Sequence, residues 1–414
     1  MKRSLLIISF ISILCFILSC KKEKTDTPGE FKQVNLTEKQ KQLINTSNAF
    51  GFEFFKKVNE ISGSDANMMV SPLSVSMALG MTRNGAANGT LEAMTSTLGF
   101  SGMNDTAINQ SYKYIIETFT GLDPKVKLQI ANSIWYNNTF TVEQPFVLAN
   151  QQYFDASVTK LDFSSPTAVG TINSWVNEKT NTLIPKIIDE IPAEAVMYLV
   201  NAVYFKGQWK YQFDKSKTEQ KPFHLYNGTE LQVASMTQHE TIPFYSGPGF
   251  AAIELPYNQG NYVMSLLLPD AGKTVDDVIT QLSQANWNTW NTQFSDKDIQ
   301  LQLPKFKYEY NEKQMKPILT DMGMDVAFDP INADFTRINK DGGLYISKVI
   351  HKTYIETNEE GTEAAAVTAV EVGVTSAGPD QTYYFTINRP FVYFIQEKST
   401  GTILFIGTVM NPNL

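Results

Sequence analysis

Between Glu356 and Phe391 the chain carries a connection that a compact domain does not need. Apolar alternation marks strands on either side of it, Leu344 to Ile355 before and Phe391 to Ile395 after. Connections without secondary structure rarely exceed about 12–15 residues unless they serve a function. This one is not composed like a linker. Glu359-Glu360-Gly361 opens it, with Gly361 as a flexible joint. From Thr362 to Thr375 the residues alternate. Thr362, Ala364, Ala366, Thr368, Val370, Val372 and Val374 share one face, which is small and uncharged. Glu363, Ala365, Val367, Ala369, Glu371, Gly373 and Thr375 share the other, and no proline intervenes before Pro379. Such a segment suits the interior of a sheet, with one face inward. The plainer alternatives are an ordinary strand or a short alanine-rich helix.

The rest of the body reads as a mixture of helices and strands. Phe50, Phe54, Val58 and Ile61 recur at helical spacing. Ser71-Pro72 starts a helix, a serine cap followed by proline at the first helical position. Val75, Ala78 and Leu79 then face inward, and Asn84-Gly85 stops it. Ile172, Trp175, Val176 and Lys179 mark another amphipathic helix. Gln129 to Tyr136 alternates as a strand. Met197 to Phe205 is apolar on both sides except at Asn201, which predicts a central strand buried on both faces. Val263 to Leu268 is a further strand. Phe391 to Ile395 and Ile403 to Val409 flank Glu397-Lys398-Ser399-Thr400-Gly401 as a buried hairpin. No regular strand–helix alternation exists, so the class is α+β.

Chemistry-bearing motifs are scarce. No H-E-x-x-H, G-x-S-x-G or phosphate-binding loop is present. His239-Glu240 lacks a second histidine at ligand spacing and reads as a surface pair. Gly247-Pro248-Gly249-Phe250-Ala251-Ala252 matches a dinucleotide fingerprint in letters only. No apolar strand leads into it, and Pro256 and Gly260 prevent the helix that must follow, so it is a turn. The only two cysteines, Cys15 and Cys20, lie at the start, so the body has neither a disulfide nor thiolate chemistry. With 34 basic against 42 acidic residues and no long basic run, nucleic-acid binding is not expected. Nothing calls for a metal or other cofactor.

The first residues are an address. Lys2 and Arg3 precede the short apolar run Leu5 to Leu18, and Ile17-Leu18-Ser19-Cys20 resembles a bacterial lipobox. The expected organisation is a signal peptide over residues 1–19, a lipidated tether over 20–36 with Cys20 as the lipid-bearing residue, and one domain over 37–414. A plain signal peptide with an incidental cysteine is the alternative. The expected location is the cell envelope, lipid-anchored and facing either the periplasm or the exterior.

From about Leu43 to Leu414 the chain resembles the serpins, protease inhibitors that work by loop insertion. Ser71-Pro72-Leu73-Ser74 resembles their helix beneath the main sheet. Asn201 to Trp209 resembles the strand ending where that sheet opens. Asn388-Arg389-Pro390-Phe391, with the hairpin through Phe405-Ile406-Gly407 to Asn411-Pro412, is similar to their C-terminal signature. Glu359-Glu360-Gly361-Thr362-Glu363-Ala364-Ala365-Ala366 is similar to the hinge of inhibitory members. The resemblance implies helices on large mixed or antiparallel sheets with an exposed reactive loop. It implies a monomeric inhibitor, not an enzyme, whose partner is a serine endopeptidase trapped as an acyl-enzyme when the loop inserts. Ser71, Ser74, Asn201 and His351 would form a polar latch under the moving strands, with Trp209 at the opening point. Counting from Gly361 places the scissile bond at Thr375-Ser376, while counting back from Pro390 gives a later bond. Thr375 before the cut implies an elastase-like or subtilisin-like target. Val374 also suits a papain-like cysteine protease, and the lack of basic residues from Thr362 to Ile387 disfavours trypsin-like ones. The alternative is a non-inhibitory serpin used for binding or chaperoning. The hinge's inward face carries nothing that impedes insertion.

Overall fold

A helix begins where Thr37 closes a reciprocal cap with Gln40, and it runs over Glu38–Ser62 (α1). Its inward stripe includes Leu43, Phe50, Phe54 and Val58, whereas Ile61 is exposed. The short strand Met68–Val70 (β1) leads into Pro72–Arg83 (α2), capped by Ser71, whose hydroxyl accepts from the Ser74 amide. Helix α2 is buried almost all round, and Ala78 is half-buried. The chain continues through Asn88–Thr97 (α3), Asp105–Phe119 (α4), Val126–Asn137 (β2), Gln144–Phe154 (α5), Ser157–Leu161 (β3), Ala168–Lys179 (α6) and Met197–Gln208 (β4). Next come Glu219–His224 (β5), Glu230–Gly247 (β6), Phe250–Tyr257 (β7), Tyr262–Pro269 (β8), Val275–Ile279 (α7) and Gln284–Asn291 (α8). The last third holds Ser295–Pro304 (β9), Phe306–Glu312 (β10), Met315–Leu319 (α9), His351–Asn358 (β11), Gly361–Thr362 (β12), Tyr383–Thr386 (β13), Phe391–Glu397 (β14) and Thr402–Val409 (β15). The computed structural model describes residues 30–63, 65–193, 195–362 and 382–414.

Two sheets organise these elements. The larger runs β1-β15-β14-β8-β7-β6-β9-β13, with β5 paired to β6. The smaller runs β10-β11-β12-β4-β2-β3. Most pairs are antiparallel; β13 with β9 and β2 with β3 are parallel. Every residue of β8, β14 and β15 is buried, as the apolar C-terminal hairpin predicts. Pro248 and Gly249 form the tight turn between β6 and β7, with Gly249 at φ +86°, so the glycine-rich fingerprint is a hairpin turn.

Three expectations change. Strand β11 begins at His351, not Leu344. Its partner β10 ends opposite His351 at Glu312, so residues 344–350 have no ladder to join. Strand β4 is central but not uniformly buried: Asn201 and Val203, on the face toward α2, are half-buried because one flank lacks a full-length neighbour. Residues 31–36 are not part of a free tether. The Lys32 amide donates to Asn261 Oδ1 (3.3 Å), Asn261 Nδ2 returns a bond to the Lys32 carbonyl (2.7 Å), and Val34 is buried. Residues 31–414 form one compact unit. Cys15 and Cys20 lie outside the described residues.

Candidate functional site

The long connection begins inside the smaller sheet. After β11 the chain turns at Glu359-Glu360, and Gly361-Thr362 enters between β11 and β4. Thr357 pairs with Thr362 on one side, and Gly207 pairs with Thr362 on the other. The entry is tight. A Cβ on Gly361 would lie 2.1 Å from the Gly207 carbonyl oxygen, and the residue has φ +155°. A Cβ on Gly207 would lie 2.8 Å from the Tyr257 ring. Only glycine fits either place. The Thr362 hydroxyl meets the Tyr257 phenol at 2.6 Å.

The turn is held by charge and by backbone. Glu359 is buried, and its carboxylate accepts from Lys305 Nζ (2.9 Å) and the Thr218 hydroxyl (2.8 Å). Burial pushes its pKa up. The bonds from Lys305 and Thr218 outweigh that push and hold the carboxyl below its ordinary value. Glu360 pairs with Lys215, which raises the Lys215 pKa. The amides of Trp209 and Phe213 donate to the Glu360 and Glu359 carbonyls, each at 2.9 Å. Trp209 stacks on Tyr257 (4.5 Å between centroids, 15° between planes), and its indole N–H donates to the Asn358 carbonyl at 2.9 Å.

Below Thr362 the sheet is open. No ladder joins β4 to β11 among the described residues. A cleft lies there instead, walled by Val203 and Phe205 of β4 and Tyr354 and Glu356 of β11, roofed by Thr362 and covered by Leu183 and Ile184. What ties its walls together is α2. The Ser71 amide donates to His351 Nε2 on β11 (3.0 Å), and the Ser74 hydroxyl donates to Asn201 Oδ1 on β4. Asn201 Nδ2 donates to Asn132 Oδ1 on β2 (2.6 Å), and Asn132 Nδ2 to the Phe154 carbonyl (2.6 Å). Accepting at Nε2 requires a neutral imidazole, and burial pushes the His351 pKa down from 6.5 to about 4. Across the front, Asn181 Nδ2 donates to the Tyr204 phenol (3.3 Å) and Lys352 Nζ to the Lys186 carbonyl (3.4 Å).

Ser71, Ser74, Asn201 and His351 thus converge on one helix terminus, and Trp209 lies at the top of the cleft beside Glu359, Glu360, Gly361 and Thr362. Glu363, Ala364, Ala365, Ala366, Thr375 and Ser376 lie outside the described residues. Sequence reasoning missed Asn132, Tyr257, Gly207 and the partners Lys305, Lys215 and Thr218. Asn132 carried a signal, a polar residue inside the alternating strand 129–136; the lysines carried none, because pairing with the hinge is a tertiary fact. His239 is a surface residue, as expected, and pairs with Asp298 at 2.9 Å.

The sheet thus admits the first two residues of the connection, and among the described residues no strand fills the space between β4 and β11 below them. The family model for serpins (serine protease inhibitors) matches residues 45–412, and the chain belongs to the serpin family. Leukocyte elastase inhibitor of Xenopus laevis is 32% identical over 377 residues, covering 88% of this chain and 97% of that one. The native-state structure of a thermophilic serpin, Tengpin, aligns at TM-score 0.81 and 34% identity, covering 92% of this chain and 97% of that one. Human thyroxine-binding globulin, solved in complex with thyroxine, aligns at TM-score 0.82 and 28% identity over 90% of this chain and 99% of that one. The family's description is of an inhibitor rather than a catalyst.

Proposed function

We propose that this protein is an irreversible suicide-substrate inhibitor of serine endopeptidases, held at the bacterial cell envelope by a lipid on Cys20. The observation that carries this reading is the Gly361-Thr362 wedge above the open cleft. Continuing its register past Thr362 sets Ala364 between Ile355 and Phe205, Ala366 between Thr353 and Val203, and Thr368 between His351 and Asn201. Small side chains thus meet the large ones already on that face, and a hydroxyl meets the latch. On the opposite face Glu363 falls beside Lys206, which has no ion pair among the described residues.

The chemistry follows from the loop as substrate. The protease serine attacks the Thr375 carbonyl, the bond to Ser376 breaks, and Ser376 leaves as a new amine while Thr375 stays esterified to the enzyme. Residues from Thr362 onward then zip between β4 and β11 and drag the enzyme with them. Displacing catalytic groups by about 1 Å costs on the order of a hundredfold in rate, so the ester outlives normal turnover. The small residue at the cut points to an elastase-like or subtilisin-like target, and Val374 admits a papain-like enzyme.

The test is incubation with an elastase-type serine protease, run on a denaturing gel. A boiling-resistant band near the summed masses is expected, and mass spectrometry of the released C-terminal peptide places the cut. Loop cleavage with no such band for elastase, subtilisin or papain would overturn the inhibitory reading and favour a binding serpin.

A further inference from the structure

We propose that Asp298, charged against His239, is a positioning residue: it sets, in a pH-dependent way, how much of the connection after Thr362 is free to reach a protease. Its consequence for inhibition rests on the function proposed above. The connection rejoins the body at Thr382, one residue before the edge strand β13. Strands β6, β9 and β13 lie side by side, and one carboxylate on the middle strand joins all three. Asp298 Oδ2 accepts from the Thr382 hydroxyl (2.7 Å), and Oδ1 lies 2.9 Å from His239 Nε2. The far end of β13 has other holds. Phe385 is buried against Phe244 (6.3 Å between centroids), and the Ile387 amide donates to the Gln302 carbonyl at 2.9 Å. The near end is less secure. Tyr384 is 79% exposed, and the half-exposed Tyr383 ring rests on Phe244 (5.6 Å) under the Lys297 ammonium (5.9 Å). The Thr382 side chain is held by Asp298.

An imidazole changes charge between about pH 5 and 8. On the acid side of that interval His239 and Asp298 form an ion pair. On the alkaline side only a bond between an anion and a neutral ring remains. The Thr382 hydroxyl, and after it His239, hold the Asp298 carboxyl below its ordinary value, so the aspartate stays ionised throughout. No other charge takes over the role. Thr237, His239 and Thr241 share the outer face of β6, and Asp296 and Asp298 share that of β9. Asp296 is exposed and adds only negative charge. Glu240 and Lys297 alternate onto the opposite face, where Lys297 covers Tyr383. On the β5 side, Lys217, whose carbonyl accepts from the Thr237 hydroxyl (3.4 Å), keeps its ammonium near Asp214 (3.7 Å), and Lys221 pairs with Glu219. Strand β13 adds no charge here. An exposed ion pair shifts an equilibrium about threefold. The equilibrium in question is the docking of Thr382, Tyr383 and Tyr384. Undocked, these three residues lengthen the connection by about 10 Å.

The body has no cysteine, so the full chain with Cys15 and Cys20 changed to serine accepts a single spin label. The label goes on Tyr384→Cys, or on Ile331→Cys as a reference, where the native side chain is 87% exposed. Between pH 6 and pH 8.5 the ratio of mobile to immobile label at position 384 should rise about threefold, with position 331 unchanged. His239→Gln keeps a donor for Asp298 and cannot titrate, so its ratio should not vary with pH. Asp298→Asn keeps an acceptor for Thr382 without the charge, and at pH 6 it should match the parent at pH 8.5. Loop cleavage by elastase, followed by mass spectrometry, should be about threefold faster for Asp298→Asn than for the parent at pH 6 and equal to it at pH 8.5. A parent label that ignores pH, a pH response that persists in His239→Gln, or equal cleavage rates at pH 6 would each overturn the proposal. Cleavage is read whether or not the enzyme is trapped, so failure of the inhibitory reading leaves this test standing.

Discussion

Gly361 shows how little freedom a single residue has at the opening of this sheet. A methyl there would collide with the Gly207 carbonyl oxygen at 2.1 Å, and backbone cannot yield as a flexible side chain can. Gly361→Ala should therefore expel the hinge from its entry point and cost about 2 kcal/mol, measured as a lowered melting temperature. His351 answers to pH. Its pKa falls from 6.5 in the unfolded chain to about 4 in the fold. The stability this neutral imidazole contributes is complete above about pH 6.5, is lost as pH falls toward 4, and changes no further below that. The loss is about 3 kcal/mol. His351→Gln keeps an acceptor for the Ser71 amide and removes the titration. Its melting temperature should fall less than the parent's between pH 7 and pH 4.5; parallel curves would show that His351 is not the titrating group.

The decisive elements are β4, β11 and the two-residue strand between them. Thr362→Arg would force a long cation into the buried place beside Tyr257. We expect the variant to be cleaved by a target protease without being trapped; normal trapping would refute insertion as the mechanism. Lys206→Glu would set like charges side by side once Glu363 enters. A penalty near 0.7 kcal/mol predicts about threefold more cleavage events per trapped enzyme. Adding Glu363→Lys should restore the parent ratio, because the pair is only inverted. Most elements were legible beforehand, since capping, periodicity and turn chemistry are local: Ser71 before Pro72, the alternation of 129–136, the hairpin around Glu397. The extension of β11 back to Leu344 was misjudged for the complementary reason. Alternation persists there, but a strand exists only where a partner strand does.

For the molecule as a whole, the proposed insertion predicts that the intact form is not the most stable arrangement of the chain, because among the described residues no strand fills the space between β4 and β11 below Thr362. Filling it adds ladder hydrogen bonds and buries an apolar face, a gain on the order of 10 kcal/mol. For a domain this size the loop-cleaved protein should melt at least about 10 °C higher than the intact one, measured by calorimetry. Equal melting temperatures would mean that cleavage does not let the loop enter the sheet.

The residues alone determined that an alternating, small-faced sequence follows a glycine joint where a connection belongs, and which helices and hairpins the rest of the chain forms. All of these are properties of neighbours in sequence. Only the tertiary structure decided that the joint is already seated between β4 and β11, and that Lys305, Lys215 and Tyr257 hold it there. It also decided that α2 ties the two walls of the cleft through Ser71 and Ser74. Those contacts join residues between 54 and 280 positions apart, and no local pattern encodes which distant side chain will face a given one once the sheets are packed.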